Sequence, residues 1–405
     1  MKSNILIISV YYPPKLSIAS NRIYSFAKYL DKSKYNIFVH TVDEGEEYQN
    51  DLEGVSITRV KNNPLLKTLP FTKRTNKIIH YAKVLYNKSI LQMQKNIYQK
   101  WIDNSYTLLK QKIKEENIDL IISSFAPDAS HVLALRLKQE FPHLKWIADM
   151  RDEMSQGIGL SEKTKKMYQK LEKEIFQNVD ALTSVSKPLV DEFASLANND
   201  KMLFKEIRNG YDFEMIKKEK NNTAFVITYT GNFYGERNPN NFLQALSRFI
   251  AEDKKRKIKV QLVGVKTHFN IPTNLLSMIE VIPPVGHQEA IEIMQKSDAL
   301  LLIHPSNGRK GIFTGKLFEY LATLTPIIAL VDENDVAAAL IKKANAGYVA
   351  DNSNGAKIYD ILIQAYSEWE NRVPREFNKA VIQKHHRYEQ AKRLENLIEE
   401  LLNER

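Results

Sequence analysis

The residues with the most evident chemical use lie in the stretch GIFTGKLFEYLATLTPIIAL, residues 311–330, which sets Lys316 and Glu319 three apart. On a helix that spacing brings both side chains to one face of the first turn. An ammonium group there supplies a point charge for a diphosphate. An ionised carboxylate, which only accepts hydrogen bonds, can take two from ribose hydroxyls. The elements needed to hold such a pair are legible on either side. Residues 298–303 and 326–330 read as short buried strands, so 315–323 is predicted to be the crossover helix of a parallel βαβ unit. In open α/β sheets ligands bind beyond the carboxyl ends of the strands, where helix N-termini offer backbone N–H groups and a positive dipole end to phosphate. Gly315, Lys316 and Leu317 open that helix and are counted with the candidate site. The segment is not a phosphate-binding P-loop, because its glycine spacing is one residue short and Leu317 occupies the place of the magnesium-holding Ser or Thr.

Further strands are predicted at 5–10, 37–42, 55–60, 118–123, 145–149 and 181–185, and then at 225–230, 259–264, 278–282, 299–303, 326–330 and 347–350, mostly separated by helical patterns. Two successive sets of alternating β and α imply two doubly wound parallel-sheet domains of α/β class, with a boundary near residue 205. The first half is therefore assigned to 1–205 and the second to 206–376. The tail 377–405 carries Ile382, Tyr388, Leu394, Ile398 and Leu401 at helical spacing. By periodicity it is equally a capping helix of the second domain.

With 405 residues, 43% of them hydrophobic, the chain can bury two or three substantial cores. The absence of cysteine excludes disulfides, a thiolate zinc site and a Cys nucleophile, and it fits a reducing compartment. His385 and His386 are the only adjacent histidines, no H-E-x-x-H pattern occurs, and no metal site is expected. The apolar run 5–12 after Lys2 ends at Pro13-Pro14 and reads as a first strand rather than a signal peptide, with an amphipathic helix expected from Asn21. No run approaches the roughly 18 apolar residues of a membrane span. A cytoplasmic protein, soluble or peripheral on the inner membrane face, is expected.

Seven segments occur in one order along nearly the whole chain: YYPP (11–14), DMRDE (149–153), SVSKPLVDEF (184–193), IRNGYD (207–212), YTGNFYGERNP (229–239), VGHQEAIEIMQKSDALLL (285–302) and KLFEYLA (316–322). Together they resemble the retaining GT-B glycosyltransferases of glycosyltransferase family four, bacterial members in particular. The resemblance implies two Rossmann-like domains facing a central cleft, with donor nucleotide on the second, acceptor on the first, and the tail crossing back to the first. It also implies sugar transfer with retention, without a required metal or other cofactor. Carried over residue by residue, Glu319 is the ribose ligand, and Arg237 stands for the family's phosphate-binding Lys beyond Gly231, keeping the charge on a fork suited to phosphate. Two positions depart from the pattern. Gly311 stands where the first of the family's two glutamates contacts the sugar, and Asn232 stands where many members have a second Arg; Arg309 and Lys310 are the candidate replacements. Ser17, Ala19, Ser20 and Asn21 fill a first loop that is often glycine-rich in the family.

In the first domain DMRDE follows a predicted strand, so Asp149, Arg151 and Asp152 are candidates for positioning an acceptor hydroxyl, for general-base work or for cationic support. An Arg–Asp pair tying down the loop is the competing reading. His131, after the strand ending at Ser123, is either a cleft contact or a structural histidine. Asn209, Gly210 and Asp212 read as a turn with backbone freedom from Asn-Gly, or through the resemblance as the hinge-side wall of the cleft.

Charge is uneven. Residues 54–102 contain no Asp or Glu but ten Lys and Arg, matching the net charge of +10. Apolar residues interleave with them, so this stretch either lies on anionic bilayers as basic amphipathic helices or packs with a solvated basic face. No nucleic-acid motif accompanies the pI near 9.2, and nucleic acid is not expected as a partner. The reading is a hexosyl-type glycosyltransferase acting on a lipid-linked glycan or surface-polysaccharide precursor. A catalytically silent sugar-nucleotide-binding subunit, or a sugar-nucleotide epimerase of the same fold, are the alternatives.

Overall fold

The computed structural model describes residues 2–15, 17–45, 52–62, 79, 81–84, 86, 97–157, 159–233, 237–304 and 310–403. The chain divides into two compact units, residues Met1–Ile207 with Ala391–Arg405, and Arg208–Gln390.

The first unit contains strands β1 (Ser3–Ile8), β2 (Tyr35–Asp43), β3 (Val55–Lys61), β4 (Leu120–Phe125), β5 (Lys145–Met150), β6 (Ala181–Ser184) and β7 (Leu203–Glu206). They form one sheet in the order β3-β2-β1-β4-β5-β6-β7, and every pairing is parallel. Its helices are α1 (Ile18–Tyr29), α2 (Gln99–Glu115), α3 (Ala129–Glu140), α4 (Glu162–Asn178) and α5 (Lys187–Ala197).

The second unit repeats the plan with β8 (Phe225–Thr230), β9 (Ile258–Val263), β10 (Ile279–Ile282), β11 (Ala299–Ile303), β12 (Ile327–Leu330) and β13 (Gly347–Ala350). Its order is β10-β9-β8-β11-β12-β13, again all parallel. The helices are α6 (Asn240–Glu252), α7 (His287–Lys296), α8 (Gly315–Ala322), α9 (Val336–Lys343), α10 (Gly355–Glu370), α11 (Lys379–Gln383) and the start of α12 (Arg387–Asn403). In each sheet the chain winds outward from the middle in one direction, returns, and winds outward in the other. This is the doubly wound α/β architecture expected from the strand–helix alternation, and its switch points lie at β1/β4 and β8/β11.

The central strands are apolar runs because helices cover both sheet faces. Ile5 to Ile8 in β1 and the five residues of β11 are all buried. The expected strand at 5–10 begins two residues earlier than its apolar run, since Ser3 and Asn4 also pair with β2. β7 is absent from the sequence reading. Its four residues LFKE are half-exposed on a sheet edge, so no apolar run marks them. Helix α1 begins at Ile18, earlier than the expected Asn21, because Ser17 Oγ caps it by accepting from Ser20 N–H at 3.0 Å. Ala19, Ser20 and Asn21 therefore lie inside the helix rather than in a loop.

The tail divides within α12. Residues through Gln390 belong to the second unit, whereas Ala391, Leu394, Leu397, Ile398 and Leu401 pack with Ile5, Ile23, Phe26 and Tyr35 in the first. Lys34 Nζ, 2.8 Å from both Glu395 and Glu399, adds a polar tie.

Gly210 has a role other than the turn freedom read from Asn-Gly. A Cβ there would meet His385 O at 2.3 Å, in a strip where Tyr211 N–H donates to His385 O at 3.2 Å and Arg387 N–H to Tyr211 O at 3.0 Å. Close backbone approach requires the glycine.

Of the basic stretch 54–102, most of 63–96 lies outside the described residues; β3 and α2 flank it. Ile79, Tyr81, Val84 and Tyr86 within it are exposed. Among the described residues no helix is long and apolar enough to cross a membrane, and no group of three or more His, Cys, Asp or Glu could hold a metal ion.

Candidate functional site

The second unit gathers its charged candidates at the carboxyl ends of β8 and β11. Helix α8 is the crossover between β11 and β12, whose register runs from Leu300 opposite Ile327 to Ile303 opposite Leu330. Five residues of α8, Leu317, Phe318, Tyr320, Leu321 and Ala322, are wholly buried and orient the helix, so Lys316 and Glu319 fall on its half-exposed side. Tyr320 also ties α8 to β8: its hydroxyl accepts from Thr230 N–H at 3.0 Å and lies 3.1 Å from Thr230 Oγ1. This bond fixes the end of β8 against the first turn of α8. The Leu317 side chain belongs to the core, which leaves only its backbone near the site, and that N–H donates to Thr314 O at 3.1 Å.

Beyond β8 the chain turns at Gly231, whose φ of +100° favours glycine, while its N–H donates to Val263 O at 2.7 Å. The missing side chain also leaves room for Lys316. A Cβ at this position would meet Lys316 Nζ at 2.6 Å and Cε at 2.7 Å. The ammonium thus lies directly over the turn, donates to the Tyr229 hydroxyl at 3.1 Å and sits 4.4 Å from that ring's centroid. Tyr229 is in turn stacked on Phe233 at 4.3 Å and donates to Asn232 O at 3.1 Å. Burial, with the nearby Arg237 guanidinium, pulls the Lys316 pKa down to about 8, against an opposing pull from Glu319.

His304 closes the back of this group at the end of β11. It is 3% exposed, and burial together with Arg237 and Lys316 lowers its pKa to about 3, so it is neutral. Its Nε2 lies 3.1 Å from Thr314 Oγ1. Thr314 is the N-cap residue of α8 but makes no side-chain cap, so no hydroxyl covers the amides of Gly315 and Lys316 from that position.

Glu319 faces a partner the sequence did not suggest. His287, the first residue of α7, brings Nε2 to 3.0 Å from Glu319 Oε1, and this hydrogen bond raises the His287 pKa. Two motif departures acquire physical reasons. Gly311 has a φ of +79° and its N–H donates to the buried Asp335 carboxylate at 2.8 Å, a left-handed backbone that strains a glutamate. Asn232 is engaged locally: its Oδ1 accepts from Lys266 N–H at 2.8 Å, Thr267 N–H at 3.1 Å and Thr267 Oγ1 at 2.9 Å. Of the two candidate substitutes, Lys310 pairs with Asp332, and Arg309 lies outside the described residues.

The first-unit candidates are arranged differently. Asp149, 1% exposed at the end of β5, accepts from Arg22 Nη2 at 2.7 Å and Nε at 3.0 Å, and from Ser124 Oγ and Thr183 Oγ1, each at 2.8 Å. Burial alone would raise its pKa; Arg22 and the other donors outweigh that and hold it below the usual carboxylate value. Arg22 on α1 was not a candidate from sequence, since only the tertiary fold brings it to a residue 127 positions away. Arg151 donates from Nε to Ser124 Oγ at 3.0 Å and from Nη2 to Ala126 O at 2.8 Å, while the arginine that pairs with Asp149 is Arg22. His131 is wholly buried, with Nδ1 2.7 Å from Ser123 Oγ and Nε2 3.1 Å from Met150 Sδ; burial lowers its pKa to about 3. It is a neutral core histidine in this structure. Asp152 is exposed. A pocket of about 530 Å³ between α4 and α5, lined by Ser155, Glu172 and Phe176 among others, includes none of these residues.

Sucrose-phosphate synthase from Thermosynechococcus elongatus superposes with a TM-score of 0.67 at 12% identity, covering 100% of both chains. The fold is that of the GT-B glycosyltransferases. A glycosyltransferase from Rickettsia africae gives 0.65 at 14% identity over 99% of each chain. A trehalose-6-phosphate protein from E. coli bound with UDP-2-fluoro glucose gives 0.62 at 10% identity, covering 97% of this chain and 98% of that one. No family model and no curated protein matches the chain.

Removing one member of the buried pair tests its structural weight. Arg22→Ala leaves the Asp149 carboxylate buried with its main cation gone and is expected to destabilise the first unit by about 3–5 kcal/mol, read by chemical denaturation. The pair's contribution is complete above the ordinary carboxyl value of 3.8 and is lost as pH falls through the lower folded value.

Proposed function

We propose that the chain is a glycosyltransferase that binds a nucleoside-diphosphate sugar on its second unit and transfers the sugar to an acceptor held by its first, with retention at the anomeric carbon. One observation carries the reading: Lys316 is held, partly desolvated and beside Arg237, over the glycine turn that ends β8. Two cations brought together at a sheet's carboxyl edge, next to an uncapped helix N-terminus, favour an anion of high charge density. The diphosphate of a sugar nucleotide meets that demand, and Glu319, three residues further along the same face of the helix, would accept from ribose hydroxyls.

In this proposal charge develops on the departing diphosphate as the bond to the anomeric carbon breaks, and Lys316, Arg237 and the α8 amides stabilise it. Residues Gly231, Gly315 and Leu317 contribute close-approaching backbone, and Asn232 holds the neighbouring loop rather than the ligand. In the first unit Asp149, Arg151 and His131 shape the loop after β5, and the exposed Asp152 is the carboxylate that meets the acceptor hydroxyl. The acceptor class we favour is a lipid-linked glycan or polysaccharide precursor reached at an anionic bilayer, a reading supported by the basic stretch 54–102 and the exposed Tyr81 and Tyr86. A second reading, a sugar-nucleotide-binding subunit without turnover, is favoured by the left-handed Gly311 in the sugar-contacting position. Hydrolysis and transfer assays with a donor panel, beside calorimetric binding, separate the two.

Glu319→Ala is expected to weaken nucleoside-diphosphate binding by about 1.5–3 kcal/mol in calorimetry, the cost of a charge-assisted pair; unchanged affinity would remove it from the site. Binding needs Lys316 charged, and its folded pKa of about 8 lies below the ordinary 10.5. Affinity should therefore hold below pH 8 and fall by about tenfold per unit above it, with net proton uptake on binding, and Lys316→Met should abolish that slope. Replacing Lys83 and Lys100 with Gln should reduce co-sedimentation with phosphatidylserine vesicles, and unaltered sedimentation would refute the bilayer contact.

A further inference from the structure

Glu319 and His287 come from successive crossovers, α8 after β11 and α7 after β10, 32 residues apart in sequence. Only the β8-centred sheet order brings them together. A glutamate has three side-chain torsions, and on a half-exposed helix turn its carboxylate samples several orientations. One hydrogen bond from a group on another helix removes most of that freedom. His287 Nε2, 3.0 Å from Oε1, supplies the bond and occupies one of the two carboxylate oxygens. A carboxylate offers about four lone-pair sites, so Oε2 and the remaining site on Oε1 stay open to a diol.

The surroundings keep this pair polar. Asp212 and the Arg387 guanidinium are the other charged groups whose fields reach His287, and they act with opposite sign. Exposure argues against a folding role: the His287 side chain is 60% exposed and Glu319 21%, and ion pairs so placed contribute about 0–1 kcal/mol to stability. The consequence of the contact is therefore to be sought in what Glu319 can bind.

We propose that His287 is a positioning residue that orients the Glu319 carboxylate for a ribose 2′,3′-diol, and so sets the preference of this site for ribonucleotide donors. The proposal rests on the reading of Glu319 as the ribose acceptor. It assigns His287 no contact with the reacting atoms.

The test compares ligands that differ only in the diol. Wild type, His287→Ala, His287→Gln and Glu319→Ala are titrated calorimetrically with ADP, GDP and UDP and with their 2′,3′-dideoxy counterparts. Wild type should prefer the ribo form. His287→Ala should lower that preference by about 2–10-fold, the loss of one orienting hydrogen bond, with dideoxy affinity unchanged. His287→Gln, whose amide N–H can donate from a similar position, should restore most of it. An unaltered preference in His287→Ala, or an equal fall for both ligand forms, overturns the positioning role. A wild-type preference that survives Glu319→Ala overturns the reading of Glu319 instead, and failure of wild type to bind any of the six ligands overturns both.

Discussion

The arrangement at the second sheet's edge is organised by the desolvation of one ammonium group. Lys316 is pressed against Tyr229 and the Cβ-less face of Gly231, where its charged form is penalised by burial and by Arg237. A lysine left to solvent would avoid that cost. The fold prevents this by burying its neighbours Leu317, Phe318, Tyr320 and Leu321 and by tying Tyr320 to Thr230. An anion at the same place would relieve both the desolvation and the repulsion between cations. In the proposed function the site is thus preorganised for the diphosphate, with the reorganisation cost already met in folding.

The first unit solves a different problem. Its central strand ends carry a polar group of Arg22, Ser124, Asp149, Arg151 and Thr183, in which both carboxylate oxygens of Asp149 are fully employed. Such a network is costly if half satisfied and rigid when complete. The motif residues most suggestive of chemistry in that half, Asp149 and His131, are consumed in holding β4, β5 and their loops. Asp152 is exposed.

Much of the fold was legible because parallel strands buried on both faces are written as apolar runs. The runs 225–230, 299–303 and 347–350 coincide with β8, β11 and β13. β7 was not legible, since an edge strand of four mixed residues has no periodicity to read. Gly210 shows a subtler limit: its type is plain in the sequence, but the cause, a carbonyl 2.3 Å from an absent Cβ, lies 175 residues away at His385. Helix α1 starts three residues before Asn21 because the hydroxyl of Ser17 outranks hydrophobic periodicity in setting a helix boundary.

The sequence by itself determined the two doubly wound sheets, and it placed Lys316 and Glu319 on one helical turn at a strand's carboxyl end. Those properties depend on hydrophobic period and short-range spacing, which are local and linear. Tertiary structure alone decided that Gly231 makes room for the Lys316 ammonium, that Asn232 serves a loop, that Arg22 claims Asp149 and that His287 reaches Glu319. Each of these is a contact between residues far apart in the chain, and its energy depends on distance and dielectric that exist only once the sheets have formed.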